Sequence, residues 1–97
     1  MAASPARSIR GIATACPALR CVDLRDNDLP DASELGEIAT LERVDVSGNF
    51  LCYPANLVPA THCRRLTWLD ASENCFNALA RRAVEAAFAG RGVTLRL

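Results

Sequence analysis

The sequence contains no lysine, no net charge and no long apolar run, and each of these absences narrows the possible functions. Eleven arginines balance 11 acidic residues in a chain of 97, which argues against a general binder of polyanions. No segment reaches the roughly 18 consecutive apolar residues that a membrane-spanning helix needs. With one histidine, five cysteines and no Cys-x-x-Cys, the chain also lacks the usual spacing of a metal or disulfide framework.

The charges that are present form blocks along the chain. Residues 1–20 hold three arginines and no acid, residues 21–63 hold eight acids and two arginines, and residues 64–97 hold six arginines and three acids. The net charges of the three blocks are therefore +3, −6 and +3. This alternation favours contacts of complementary sign, end to end or with a partner, while an ordinary solvated surface is the alternative.

One pattern occurs three times, at residues 19–29, 41–51 and 66–76. It reads Leu-x-x-Φ-x-Φ-x-x-Asn-x-Φ, where Φ is an apolar residue. Its first, fourth and sixth positions predict a short parallel strand whose apolar side chains point into a core. The asparagines, Asn27, Asn49 and Asn74, are predicted to be structural, because a side-chain amide can pair with backbone groups that a tight bend leaves unpartnered.

From Cys16 to Leu97 this pattern resembles the leucine-rich repeat superfamily. The resemblance implies an α/β fold, a short leucine-rich repeat solenoid with three full repeats, a terminal strand and a parallel sheet on its concave face. It implies one domain over residues 1–97, with an N-terminal helical cap at 1–18, repeats at 19–40, 41–65 and 66–90, and a terminal edge strand at 91–97.

The links between the repeats are predicted to differ. A spacing of 22 residues from Leu19 to Leu41 leaves room only for short helical turns and resembles the 22-residue type of repeat. Pro54 and Pro59 exclude a continuous helix in the second link. Residues 77–90 have helical periodicity, end at a glycine and resemble the ribonuclease-inhibitor and tropomodulin type. The apolar face predicted for this helix comprises Leu79, Ala83, Val84, Ala87 and Phe88.

Both ends of the chain are predicted to complete this stack. Residues 5–15 are expected to form a helix capped by Ser4, with Ile9, Ile12, Ala13 and Cys16 against the first repeat. A mitochondrial presequence is the alternative for residues 1–20, which contain no acid. We expect an intracellular protein in the cytoplasm, with the mitochondrion as the alternative. Residues 93–97 alternate as a fourth strand, with either Val93 or Leu95 at the fourth position of the pattern.

The cysteines are predicted to be reduced thiols. Cys16 and Cys63 each precede the first leucine of a repeat by three residues, which places both in an apolar core slot. His62 should point away from Cys63, because adjacent residues of an extended chain face opposite sides. The two are therefore not expected to form a metal site or a catalytic pair.

Outward-pointing strand residues are the predicted place for a partner. The third, fifth and seventh positions of the pattern form three columns, namely Cys21, Arg43, Trp68; Asp23, Asp45, Asp70; and Arg25, Ser47, Ser72. Arg43 and Trp68 lead, because arginine and tryptophan are enriched in binding hot spots, although Trp68 could instead pack on a loop of its own chain. We add Arg25, Asp45 and Asp70 to the partner-binding set. The three aspartates should lie close enough to raise one another's pKa values, yet a structural or solubilising role is favoured over a cation or catalytic site.

The resemblance therefore predicts a non-catalytic protein–protein interaction module without a cofactor or metal, such as a small scaffold or an accessory subunit. It would bind through the concave face and the C-terminal sheet edge, where self-association is the alternative to a partner. RNA or ribonucleoprotein binding is the alternative function, with Trp68 as a stacking platform beside Arg64, Arg65, Arg81, Arg82 and Arg91. An enzyme would need a partner base, phosphate loop or metal spacing that the sequence lacks.

Overall fold

Four strands of three residues each form one parallel sheet in the order β1-β2-β3-β4. They are β1 (Cys21–Asp23), β2 (Arg43–Asp45), β3 (Trp68–Asp70) and β4 (Thr94–Arg96). The computed structural model describes residues 9–97. All neighbouring strands run parallel, so each connection must return along the opposite side of a shared core. The predicted α/β class with a parallel sheet is confirmed.

The strands align without a slip. Val22, Val44, Leu69 and Leu95 face one another across the four strands, and the two central side chains are fully buried. The fourth position of the pattern in β4 is therefore Leu95 and not Val93. A shift of one residue would have turned every apolar side chain to the other face, so burial fixes this register.

The three connections differ in secondary structure, as predicted. The first holds one 3₁₀ helix (Ser33–Glu37), and the second holds two, Pro54–Asn56 and Val58–His62. The third holds the helix α2 (Ala78–Phe88), which begins after Asn77, whose side chain accepts a hydrogen bond from the Ala80 N–H at 2.8 Å. This bond satisfies one of the N–H groups that a helix start leaves unpaired.

Between the sheet and the connections lies the core. Its fully buried members come from the first three strand units and from all three links, and Leu95 of β4 is only partly buried. The largest are Leu29, Leu35, Ile38, Leu41, Leu51, Leu57 and Leu69. Gly36 allows the first two links to touch, because a Cβ there would lie 2.7 Å from the Pro59 carbonyl carbon.

The predicted face of α2 is corrected by about one residue. Ala80, Val84 and Phe88 are buried, whereas Leu79 is 76% exposed and Ala83 is exposed. In a helix this rich in alanine the apolar stripe is wide. The buried side of the helix therefore depends on what it packs against, here the two 3₁₀ helices of the second link. Ala80 is buried there and Leu79 is not.

The N-terminal segment also departs from its prediction. The helix α1 covers only Ile12–Ala15, because Gly11 precedes it with a left-handed φ of 90°. Residues 1–8, with the predicted cap Ser4 and the start at Pro5, lie outside the described residues. Ile9 is buried, and Ile12 and Ala13 pack on the core, as expected.

A carboxylate from the first link holds this segment in place. The Glu34 oxygens accept hydrogen bonds from the N–H groups of Gly11 and Ala13, both at 3.0 Å. These bonds, led by the one from Ala13, keep the pKa of Glu34 below its usual value. Negative charge at the start of a helix is favourable because the free N–H groups point at it.

All five cysteines are free, as predicted, but only one of the two expected core thiols is buried. Cys63 is buried and its Sγ lies 3.2 Å from the carbonyl oxygens of Leu35 and Ile38 in the preceding link. Cys16 is exposed. The difference follows from position, since within residues 9–97 no unit stands in front of β1 to cover Cys16.

Asn49 and Asn74 form the predicted ladder. The Asn49 amide nitrogen donates to three backbone carbonyls and its oxygen accepts from two backbone N–H groups. Its partners are the carbonyls of Leu24, Val46 and Ser47 and the N–H groups of Asn27 and Leu29. Asn74 repeats the arrangement one unit later, and Asn49 is only 3% exposed. Both amides thus satisfy backbone groups in two adjacent units.

Among residues 9–97, no helix has the length and apolar character needed to cross a membrane.

Candidate functional site

Two columns of side chains stand on the side of the sheet away from the core, which we call the outward face. The first column is Cys21, Arg43, Trp68 and Thr94, and the second is Asp23, Asp45, Asp70 and Arg96. The sequence predicted the first three members of each column, and their neighbour relations are confirmed by the strand register. Thr94 and Arg96 were missed because the register of β4 was left open.

Arg43 and Trp68 make the most specific contact of the outward face. The Arg43 guanidinium carbon lies 4.7 Å from the centroid of the Trp68 ring, within the range of a cation–π interaction. The ring is half-buried and Arg43 is exposed. Trp68 therefore packs against its strand neighbour and still presents part of its ring to solvent.

Neither of these side chains uses its full hydrogen-bonding capacity inside the chain. Within residues 9–97, Arg43 has no ion pair and the Trp68 indole N–H has no acceptor. A guanidinium carries five N–H donors and an indole carries one. The pair thus offers donors and an aromatic surface to an external group.

Arg25 belongs to a different arrangement beside this pair. Its guanidinium forms a two-pronged bond to Asp23, with N–O distances of 3.0 and 2.9 Å, and its Nε lies 3.7 Å from an Asp45 oxygen. Arg25 thus neutralises part of the aspartate column. Because both Arg25 and Asp23 are more than half exposed, the ion pair itself adds little stability.

Asp45 and Asp70 are held by their own turns. Each accepts a hydrogen bond from the hydroxyl of the serine two residues later at 2.6 Å, and another from that serine's N–H at 3.0 Å. The serines are Ser47 and Ser72. This is the local bonding by which an aspartate stabilises a turn, and it supports a structural role for both carboxylates.

The expectation that the aspartates raise one another's pKa values is wrong for two of them. Hydrogen bonds from Arg25, first from its side chain and then from its N–H, lower the pKa of Asp23. Burial raises the pKa of Asp70, but the hydrogen bonds from Ser72 and the charge of Arg96 outweigh burial and leave it below its usual value. Donors and cations placed beside each carboxylate thus decide the direction of its shift.

These side chains surround an open depression of about 370 Å³ on the outward face. Its lining residues are Cys21, Val22, Asp23, Arg25, Arg43, Asp45 and Trp68. Four of the five residues predicted to bind a partner meet here, and Asp70 lies beside Asp45 on the next strand. The depression combines a free cation, an aromatic ring and paired carboxylates within one rigid sheet.

Three of the five arginines of the RNA alternative do not lie beside Trp68. Arg81 and Arg82 lie on α2, which packs on the Leu69 side of the sheet, and Trp68 points to the opposite face. Arg91 donates to the carbonyls of Ala87 and Thr61 at 3.1 and 3.2 Å. Trp68 and these three arginines therefore do not form one basic surface.

A second exposed feature was not predicted from the sequence. Phe50 is 53% exposed and Tyr53 is 70% exposed, in the turn and link after β2. The signal that could have found Phe50 is its place between Asn49 and Leu51, a position that the other two copies fill with Asp28 and Cys75. A variable position next to two fixed ones points outward in this pattern.

No group of three or more His, Cys, Asp or Glu side chains in the described part of the chain is arranged to hold a metal ion. His62 is exposed while Cys63 is buried, so they face different sides, as predicted.

No protein-family model matches this chain, and no curated protein shows significant sequence similarity to it.

Proposed function

We propose that this chain is a short leucine-rich repeat solenoid whose outward face is the concave, partner-binding face. The strand register, the asparagine ladder and the links of variable structure all support this assignment. In such a stack each unit buries its apolar side chains against its neighbours. Side chains on the outward face then stand in fixed columns. Because the backbone that carries them is already ordered, it loses little conformational entropy when a ligand binds.

On this basis the chain acts as a non-catalytic protein–protein interaction module, a small scaffold or an accessory subunit. The observation that carries the proposal is the Arg43–Trp68 pair, with 4.7 Å between guanidinium and ring centroid. Its donors are uncommitted within the described residues, and tryptophan and arginine dominate binding hot spots. Because Arg43 already lies over the ring, little side-chain entropy remains to be lost on binding.

The partner should present acidic or carbonyl groups toward Arg43 and an apolar side chain toward Trp68. The aspartate column beside this pair favours basic groups on the partner. Such complementary charge contributes to specificity more than to affinity. Within residues 9–97 no strand pairs with the outer edge of β4. This edge is a second proposed contact, because an exposed edge strand can accept another strand. No catalytic step is part of this proposal.

The test is affinity purification of the tagged chain from its native cells, followed by mass spectrometry, with wild type, Trp68→Ala and Arg43→Ala side by side. Tyr53→Ala is the matched control, because it removes an exposed aromatic side chain away from the outward face. We expect a stoichiometric protein partner that survives nuclease treatment and the Tyr53 change. Its affinity should fall by about 30-fold or more in Trp68→Ala, the effect of a hot spot worth about 2 kcal/mol.

Two results would contradict the proposal. A partner retained equally by all variants would remove the outward face from consideration and leave the β4 edge. Recovery of RNA, or loss of every partner after nuclease treatment, would support the RNA alternative, whose binding would also weaken steeply with salt.

A further inference from the structure

Cys52 and Cys75 lie on adjacent units of the chain and face each other across them. The Cys75 N–H donates to the carbonyl of Leu51 at 2.8 Å. The Arg43 N–H makes the same kind of bond to the Arg20 carbonyl, at 3.1 Å, and in that case Arg43 stands opposite Cys21 of the preceding strand. By the same geometry Cys75 stands opposite Cys52, with Cα atoms about 5 Å apart, as in neighbouring strands.

That separation suits a covalent link. Disulfides join cysteines whose Cα atoms lie roughly 4.4–6.8 Å apart, with the side chains on the same side. Burial, and then the neighbouring Cys75 thiol, raises the pKa of Cys52. This influence of Cys75 agrees with its position opposite Cys52.

The two thiols differ in access. Cys75 is exposed, whereas Cys52 is partly buried and its Sγ lies 3.4 Å from the Phe50 carbonyl oxygen. The remaining cysteines offer no comparable pair. Cys63 is buried against backbone carbonyls of the first link, and Cys16 and Cys21 are exposed on the other side of the second unit from Cys75.

We propose that Cys52 and Cys75 are a modification site, a dithiol that closes reversibly to an intramolecular disulfide by exchange with a small-molecule disulfide such as oxidised glutathione. The bond joins the unit of β2 to the unit of β3 next to the exposed Phe50 and Tyr53 side chains. It is independent of the proposed partner-binding role of the outward face.

The exchange takes place in two steps. The Cys75 thiolate attacks one sulfur of glutathione disulfide, whose S–S bond breaks, and one glutathione leaves as a thiolate. The Cys52 sulfur, losing its proton to solvent, then attacks the Cys75 sulfur and expels the second glutathione as a thiolate. The two cysteine thiols lose two electrons, the small disulfide gains them, and the two protons end on the released glutathiones.

Cys75 is the attacking residue because it is the accessible one. The partly buried Cys52, whose raised pKa leaves less thiolate at neutral pH, suits the second step, where the mixed disulfide is already held beside it. A Cys52→Ser variant should therefore stop at a glutathione adduct on Cys75. A Cys75→Ser variant should leave Cys52 reduced under the same conditions.

The experiment equilibrates the purified chain in glutathione buffers of increasing oxidised fraction, blocks free thiols in acid, and maps the products by mass spectrometry. In the wild type we expect loss of one thiol pair, a Cys52–Cys75 linked peptide, and a midpoint that does not depend on protein concentration. Cys21→Ser is the matched control, since it removes an exposed thiol and should keep the same midpoint. The oxidised chain should melt at a higher temperature, because the bond restricts the unfolded chain.

Several outcomes would overturn the proposal. These are a wild type that retains five free thiols up to fully oxidised glutathione, a linked peptide that contains Cys16, Cys21 or Cys63, and a disulfide that joins two chains. Peptide mapping of the wild type decides between them even where a serine variant does not fold. Rapid oxidation of Cys75→Ser at Cys52 would reverse the order of the two steps and overturn the assignment of Cys75.

Discussion

The turns after β2 and β3 repeat each other nearly bond for bond, whereas the links that follow those turns share no secondary structure. In both turns an asparagine nitrogen donates to three carbonyls. In both, an aspartate accepts from the serine two residues on at 2.6 and 3.0 Å. The links, by contrast, are two 3₁₀ helices in one case and an 11-residue α-helix in the other.

The difference comes from the kind of group each region must satisfy. In the turns, backbone N–H and C=O groups are removed from water and need partners at fixed distances and angles, which few geometries supply. In the links, leucine and alanine side chains need only fill the space above the sheet, and several secondary structures can do so. Hydrogen bonding thus makes the turns uniform, and apolar packing leaves the links free to vary.

Leu35→Ala tests the packing of the first link and should have the largest effect. Leu35 is fully buried in the 3₁₀ helix that contacts the second link, so its loss leaves a cavity and should lower the free energy of unfolding by about 2–5 kcal/mol. Urea denaturation measures this loss. Leu35→Met keeps most of the volume and should cost less than about 1.5 kcal/mol.

The matched control for this position is Leu79→Ala. Leu79 is 76% exposed on α2, so the same chemical change should alter the free energy of unfolding by no more than about 0.5 kcal/mol. Equal losses from Leu35→Ala and Leu79→Ala would contradict the core described above and would restore the helix face predicted from the sequence.

Asn49→Ala tests the turn and should have the next largest effect. It removes five hydrogen bonds to the backbone, including those to the Leu24 carbonyl and the Leu29 N–H, and we expect a loss of about 1–3 kcal/mol in the free energy of unfolding. The sharper change is Asn49→Asp, which keeps the shape but replaces the donating nitrogen with an oxygen beside those carbonyls. It should cost at least as much as Asn49→Ala.

Together these variants separate the two regions. The shape-preserving change is tolerated in the link (Leu35→Met) and harmful in the turn (Asn49→Asp), if hydrogen bonding rather than volume holds the turn. A melting temperature left unchanged by either Asn49 variant would show that the amide ladder is not needed for stability.

The same physical division explains how much of the fold could be predicted from sequence. The alignment of Arg43 with Trp68 and of Asp45 with Asp70 follows from the repeated pattern, because a two-residue side-chain period leaves only one register that buries the leucines. The turn role of Asn49 follows from the same pattern. These features depend on the burial of apolar strand residues and on the bonding of the turn asparagine, which every copy of the pattern repeats.

Features that depend on one particular neighbour could not be predicted. Cys16 occupies the same pattern position as Cys63 but is exposed, since burial there comes from the preceding unit. The exposed side of α2 at Leu79 depends on which residues of the second link approach it. The position of Cys75 opposite Cys52 was also missed, because the pattern does not determine which residues of two adjacent links stand side by side.

At the candidate site, the sequence predicted which side chains form the outward columns, but it did not predict the direction in which the pKa values of the aspartates shift. It grouped the aspartates by sign and expected mutual repulsion. It did not count the donors that each turn places on its own aspartate, such as the Ser72 hydroxyl on Asp70.

The smallest predicted effect concerns pH and the turn aspartate Asp70. Its pKa in the folded chain is lower than the value of about 3.9 of an unfolded aspartate. The ionised form therefore stabilises the fold at pH above about 4, and this contribution is lost as pH falls through the folded pKa. Asp70→Asn should thus lose less stability than the wild type between about pH 5 and pH 2, measured by urea denaturation at each pH.

Ser72→Ala distinguishes the hydroxyl's role from that of the charge on Arg96. It keeps the carboxylate but removes one donor that lowers the pKa of Asp70, so its loss of stability with acid should fall between those of the wild type and Asp70→Asn. Because Asp70 remains partly open to solvent, the difference is small and should shrink further if the charge of Arg96 is screened by salt. An acid dependence in Ser72→Ala equal to that of the wild type would assign the lowered pKa to the backbone N–H of residue 72 and to Arg96 instead, and the serine hydroxyl would then shape the turn without changing its electrostatics.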